Sequence, residues 1–364
     1  MRSELSRIAQ DIVDATSIFV RTRTINIMDT EGIIIASSDR SRIGTWHAGA
    51  AEAIKTGKTV EINPEEVSRY AGAKQGINSP VVQDGAIVGV VGIYGVPDEV
   101  RDTAALLSVC VGLYLKQADR TERKGQRREN RRILYELLLS GGEASRINQL
   151  WSMLGKELHF PYTPILIVMA DLSDRDADSF SHRLADHHLM DSRLDLVVEC
   201  TDGYLLLQQK ASSSIQQLVS LPGVSKVIKG RPVDSHGMAE TAVREIQMLA
   251  TASPNRTADM ENPDDLYLLN FLPDGAPVVS QAAQRYASRL ETMAGAWVPE
   301  TVQAYLQDDG NQQALTKHLG IHKNTSLYRM HRIWKELGLE DARMESRMFF
   351  LRYAWYLHNA HAPA

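Results

Sequence analysis

Residues Asn311 to Leu337 constrain this chain more tightly than any other stretch. Ala314, Leu315 and Leu319 recur at the spacing of one helical face. Gly320 follows, where a residue without Cβ can leave a helix through positive φ, and Ile321 is placed to plug the corner. His322 then offers a capping side chain to a second helix, whose inward positions are expected at Leu327, Met330, Ile333, Trp334 and Leu337. The opposite face is cationic: Thr316 to Lys335 holds five Lys or Arg and three His, against no Asp or Glu. A turn glycine, a corner isoleucine, a polar cap and an acid-free second helix are separate requirements of docking in a DNA groove. A phosphate backbone rewards that charge imbalance. The plainer alternative is an amphipathic helix pair whose basic run is only solvated. On the DNA reading, Lys323, Asn324, Tyr328 and Arg329 face the groove, Thr325 holds a phosphate, and Lys317, His322 and Arg332 complete the surface.

The segments Thr301–Leu306, Asp309–Asn311, Leu319–Thr325 and Tyr328–Ile333 resemble the C-terminal DNA-binding domain of regulators of the purine-catabolism and carbohydrate-diacid type. That family usually has an apolar residue followed by a polar or basic one where this chain has Ser326-Leu327. Leu327 therefore either points inward or faces the groove, where it could touch a thymine methyl.

With 364 residues, 43% of them hydrophobic and 23% charged, the chain has room for two or three soluble domains. A net charge of −5 argues against indiscriminate coating of nucleic acid, so any DNA contact must be local. Cys110 and Cys200 form no Cys-x-x-Cys, which gives no support to a disulfide framework or a zinc site; both are expected as buried thiols. No apolar run reaches the roughly 18 residues of a membrane span, and a cytoplasmic protein is expected.

Leu5, Ile8, Ala9, Ile12 and Val13 form one stripe of an expected helix over residues 3–20. Ile25–Met28 and Ile33–Ile35 flank a turn-rich Asp29-Thr30-Glu31-Gly32 and read as a hairpin. A helix from about Ala48 to Lys55, a short strand at Val60–Ile62, a hairpin around Asp84-Gly85 and a helix from Pro97 follow. The apolar run Ala86–Val96 should be the sheet's centre. This order suits a small, mostly antiparallel α/β sensor comparable to PAS or Cache folds. Ile33–Ser38, Arg42–His47, Gly76–Pro80 and Gly89–Gly95 are similar to the sugar diacid recognition domain, a resemblance that covers most of residues 3–120.

A diacid needs cationic or donor-rich ends, since burying an unpaired carboxylate costs several kcal/mol. Arg42 and His47 flank Gly44 at the start of a helix; Lys74, Gly76 and Asn78 lie in and after a glycine-bearing loop; and Gly92 sits in a strand where glycine permits close approach. These seven are the candidate ligand site, with Arg42 as principal carboxylate clamp. The plainer reading makes Arg42 and Lys74 surface charges and Asn78 a turn cap.

From Lys116 to Arg132 eight Lys or Arg meet three acids on a helix that reads as solvated, as a transmitting helix paired across a dimer, or as a DNA contact. Beyond it, residues 133–252 read as an α/β unit. A strand is expected at Ile165–Ala170, a hairpin at 194–208, and helices near 144–158, 174–190, 212–220 and 237–251; the proline-bearing Ser253–Val279 is the expected junction. In the family this region resembles a degenerate diguanylate cyclase, but the hairpin here reads Glu199-Cys200-Thr201-Asp202-Gly203-Tyr204, so no cyclase activity carries over. His187-His188, His358 and His361 have no metal-ligand spacing, and no nucleophile has an evident base.

The sequence thus predicts an α+β multidomain chain: a diacid sensor over 1–120, a degenerate cyclase-like domain over 121–270 behind a linker helix, and an all-α helix-turn-helix domain over 280–364. The expected function is a cytoplasmic, non-enzymatic transcription regulator, an activator by resemblance. It would act as a homodimer on double-stranded DNA and respond to glucarate, galactarate or glycerate, with no cofactor or metal. The alternative is a sensor whose helical C-terminus binds a protein partner.

Overall fold

The computed structural model describes residues 2–17, 23–173, 175–209 and 214–360. The parts of expected helices at 18–20, 174 and 212–213 lie outside the described residues, as does His361. Two compact units, Met1–Gln126 and Arg127–Ala364, make up the chain.

The first unit opens with α1 (Arg2–Ser17), which buries Leu5, Ala9, Ile12 and Val13. β1 (Ile25–Met28) and β2 (Ile34–Ser37) form the expected hairpin. At its tip the Asp29 carboxylate accepts the N–H groups of Glu31 and Ile33, each at 2.9 Å. A 3-10 turn (Arg40–Arg42), α2 (Ala48–Thr56), β3 (Val60–Ile62), β4 (Gly76–Gln83) and β5 (Ala86–Tyr94) follow. The antiparallel sheet has the order β2-β1-β5-β4-β3, so the apolar run that forms β5 takes the central place. Side chains alternate across it. Val91 and Ile93 join Ile25, Ile27 and Ile77 under α1 and the first turns of α3 (Pro97–Ser140). Val90 packs with Met28, Ile34, Ala50 and Ala53 beneath α2.

α3 is one unbroken helix of 44 residues. Val100, Ala104, Leu107, Val111 and Leu115 are buried in the sensor core, whereas residues 120–129 are all exposed. Most of the expected charged run is therefore solvated, with the exception of Arg131, which already belongs to the second unit and is buried and ion-paired there with Asp178.

In the second unit come α4 (Ala144–Met153), β6 (Thr163–Met169), α5 (Ala177–Asp186), β7 (Leu196–Cys200), β8 (Gly203–Gln208), α6 (Ile215–Val219), β9 (Val224–Lys229), α7 (His236–Ala252) and β10 (Thr257–Asp259). Their sheet runs β10-β9-β6-β8-β7, with only β9 and β10 parallel. β9 escapes a pattern search because it carries Lys226 and Lys229. The Lys226 ammonium donates to the carbonyls of Ala250 and Ser253 at 2.8 and 2.7 Å, which removes the usual objection to lysine in a sheet interior.

The stretch read as a junction is ordered instead into β10, α8 (Pro263–Leu268) and the start of α9 (Ala276–Thr292). Pro263 and Pro277 fall in first turns, where a missing N–H breaks no helical bond, so the prolines start helices rather than interrupt structure. α10 (Trp297–Gln307), α11 (Gln312–His318), α12 (Lys323–Leu337) and α13 (Met344–Ala360) complete an all-helical end. One apolar core runs without interruption from Leu134 through Trp151, Leu207 and Ile246 to Val302, Trp334 and Phe350. Among the described residues, no helix is long and apolar enough to cross a membrane, and no group of three His, Cys, Asp or Glu is disposed to hold a metal ion.

Candidate ligand pocket and DNA-facing helix

Six of the seven residues picked as a ligand site line one cavity in the sensor: Arg42, His47, Lys74, Gly76, Asn78 and Gly92. Gly44 does not. It is exposed at φ +85°, with nothing within 4 Å of where a Cβ would stand, and serves the turn between Arg42 and His47.

Arg42 ends the 3-10 turn and its Nη2 donates to the Gly72 carbonyl at 2.7 Å, which fixes one edge of the guanidinium. Burial lowers its pKa and nearby Asp39 opposes that, but an arginine so placed stays charged. His47 is the N-cap of α2, 4% exposed, and its Nδ1 accepts the Ala50 N–H at 3.2 Å. Burial, and then the Arg42 charge, bring its pKa down to about 4. At neutral pH the ring is uncharged, and since Nδ1 accepts, the proton sits on Nε2 as a donor.

Asn78 is buried in β4 between two glycines. A Cβ at Gly49 would stand 2.8 Å from its Nδ2, and one at Gly92 would stand 3.1 Å from its Oδ1. Glycine at those positions is what admits the amide. Exposed Lys74 holds its ammonium 5.7 Å from the centre of the Tyr94 ring, at the cavity's rim.

Asn26, Gln75 and Tyr94 also line the cavity and were not picked out from the sequence. Asn26 carried a signal: it is a polar residue between Ile25 and Ile27 in a strand, buried, with its Oδ1 accepting from Ser37 Oγ at 2.7 Å. The cavity volume is only about 10 Å³, room for a single water. A larger sensor cavity of about 380 Å³ is lined by Asp29, Asp84 and Asp119 with Arg123, and three carboxylates there oppose an anionic guest.

At the other end of the chain, the Asn311 side chain caps α11 by accepting from Gln313 and Ala314, Gly320 turns at φ +62°, and His322 Nδ1 caps α12 by accepting the Asn324 N–H at 3.2 Å. Leu315, Met330, Ile333, Trp334 and Leu337 are buried as expected. Leu327 is not: it is 44% exposed, and Ser326 is fully buried in its stead. The inward row starts one residue earlier because Ser326 Oγ meets Gln312 Nε2 and Thr316 Oγ1, each at 2.8 Å, so that a polar contact locks the two helices.

Lys317, His322, Lys323, Asn324, Thr325 and Tyr328 are all exposed, on and before the first turns of α12. Arg329 and Arg332 are placed differently. Both stack over the Trp297 ring, at 5.4 and 5.7 Å, and Arg329 also donates to Thr301 Oγ1 at 3.2 Å. They brace α12 on α10 while keeping positive charge beside that exposed row. In the β7–β8 hairpin, Glu199 accepts from the Ala177 N–H at the start of α5, a structural task for an acid at that turn.

Residues 5–138 match the family described as "Putative sugar diacid recognition", and residues 299–350 match the "PucR C-terminal helix-turn-helix domain". The carbohydrate diacid regulator of Escherichia coli (strain K12) is 27% identical over 94% of this chain and 95% of its own. The uncharacterized protein YsfB of Bacillus subtilis (strain 168) is 23% identical over 89% of this chain and 90% of its own. Among solved structures, the regulator of polyketide synthase expression from Bifidobacterium adolescentis is 17% identical, covers 64% of this chain and 94% of its own, and superposes with a TM-score of 0.49.

Proposed function

We propose, for a chain that belongs to the carbohydrate diacid regulators, which join a sugar diacid recognition domain to a PucR-type helix-turn-helix, that its effector is glucarate, galactarate or the related hydroxy acid glycerate. We further propose that the protein is cytoplasmic, acts as a homodimer and activates genes for uptake and catabolism of that effector. The observation that carries the ligand reading is the convergence of Arg42 and His47 from one stretch of chain with Lys74 and Asn78 from another on one cavity. Arg42 would hold one carboxylate through the guanidinium edge not used by Gly72, and Lys74 at the rim the other. Neutral His47 and Asn78 would donate to hydroxyls between them.

At about 10 Å³ the cavity excludes a six-carbon diacid, so binding requires the Lys74–Gln75 loop or the Arg42 turn to move outward. On the DNA side, Lys323, Asn324, Thr325 and Tyr328, all exposed at the N-terminus of α12, would be the residues that enter a major groove. The test is calorimetric titration of the full chain with glucarate, galactarate and glycerate, combined with a mobility shift on the region upstream of its own gene at two salt concentrations. Absence of heat with all three acids removes the ligand reading. Absence of a salt-sensitive shift leaves the C-terminus as a surface for a protein partner.

A further inference from the structure

We infer that α3 pairs antiparallel with α3 of a second copy of this chain, along a stripe centred between Val109 and Cys110. The proposal rests on the homodimer above and gives it a location and a direction. One face of α3 buries Val100, Ala104, Leu107, Val111 and Leu115. The opposite face carries Leu106, Val109 and Leu113, which are 64%, 59% and 62% exposed, with exposed Cys110 between them. These residues recur at three- and four-residue steps, the spacing of a helix–helix seam. Three large aliphatic side chains on two turns are left in water.

The charges that continue the same stripe identify the occupant. Towards the N-terminus it bears Glu99 and Asp102; towards the C-terminus, Lys116, Gln117 and Arg120. The stripe therefore reads negative, apolar, positive, which is self-complementary only when reversed. A two-fold axis between residues 109 and 110 puts Leu106 on Leu113 of the second copy and Glu99 on its Arg120, with Asp102 within a turn of its Lys116. In-register parallel pairing would set each of these charges against its own kind. Among the described residues Asp102, Lys116 and Arg120 have no ion-pair partner, while Glu99 meets Arg23 at 2.8 Å and remains 60% exposed. Residues 120–129 of the same helix are all exposed and carry no large apolar side chain, so the apolar part of the stripe ends before them.

Cross-linking of the full chain decides it. In a Cys110→Ser background, Leu106→Cys and Leu113→Cys proteins are prepared singly and treated with a short dimaleimide, alone and mixed after subunit exchange. The expected result is covalent dimer in the mixture and not in either protein alone. Cross-linking of each protein with itself, or none in any combination, overturns the proposal. Separately, Leu106→Asp with Leu113→Asp is expected to weaken dimerisation at least tenfold by sedimentation while leaving the melting temperature of a monomer sample unchanged, because both positions are exposed. A wild-type dimer unaffected by these changes removes the seam and leaves the homodimer standing; a wild-type monomer at all concentrations removes both.

Discussion

Ser326 and Thr316 meet hydroxyl to hydroxyl at 2.8 Å, and that contact sets the rotation of the DNA-facing helix. With Ser326 inward, Leu327 is turned out beside Asn324, Tyr328 and His331. Ser326→Ala should lower the stability of the Arg127–Ala364 unit by about 1–2 kcal/mol, since Gln312 Nε2 and Thr316 each lose a partner. Leu327→Ser should leave the unfolding free energy from urea titration unchanged within about 0.5 kcal/mol and weaken operator binding. The reverse pattern would return Leu327 to the core.

Arg329 and Asn324, both candidates for base contact, should separate experimentally. Arg329→Ala loses the Trp297 face and the Thr301 bond and should destabilise the fold by about 1 kcal/mol. Asn324→Ala should be neutral for folding and relax sequence preference by about 1–3 kcal/mol at one base pair, whereas Lys317→Ala should weaken all sequences alike and reduce the salt slope. Competition binding with single-base operator variants reads these apart.

His47 makes sensor stability depend on pH. Its folded pKa, about 4, lies below the unfolded value near 6.5, so the unfolded chain takes up the proton first as pH falls. Stability should be undiminished above pH 6.5 and decline from there to pH 4, by up to about 3 kcal/mol from this group. His47→Asn, which can still cap α2, should flatten that decline in thermal melts between pH 7 and pH 4.

Arg42→Lys keeps the charge but not the planar fork, and should lose tenfold or more in diacid affinity by calorimetry. Gly72→Ala should lose affinity too, without touching a ligand. Gly72 sits at φ +74° and its added Cβ would stand 2.4 Å from the Trp46 carbonyl, so the backbone that holds Arg42 must shift. Binding unchanged in both would take Arg42 out of the site.

Much of this was legible in the sequence because the signals are local. The hairpin at Asp29–Gly32, the central strand from Ala86 and the capping roles of Gly320 and His322 all follow from short patterns, whereas the grouping of Arg42 with Asn78 came from the resemblance to the sugar diacid recognition domain. What was not legible depends on partners distant in the chain. β9 is a strand because Lys226 finds carbonyls on α7. Ser326 is inward because Gln312 and Thr316 await it, and Pro263 and Pro277 are tolerated because they fall in first turns. Asn26 was missed for a different reason: a single polar residue in a strand gains meaning only when Asn78 and Arg42 are found beside it.

The uninterrupted core from Leu134 to Phe350 determines what can be cut from this protein. Trp334 and Leu337, which anchor the DNA-facing helix, are inside the same apolar body as Trp151 and Ile246, so the helix-turn-helix is not a detachable reading head. Calorimetry of residues 127–364 should show one melting transition. A fragment beginning at Pro277 would leave Val278, Val279 and Tyr286 without the surfaces that bury them and should aggregate. A chimaera that borrows this operator specificity therefore has to be joined within the exposed stretch of α3, before Asn130, and must keep the helix in phase across the splice.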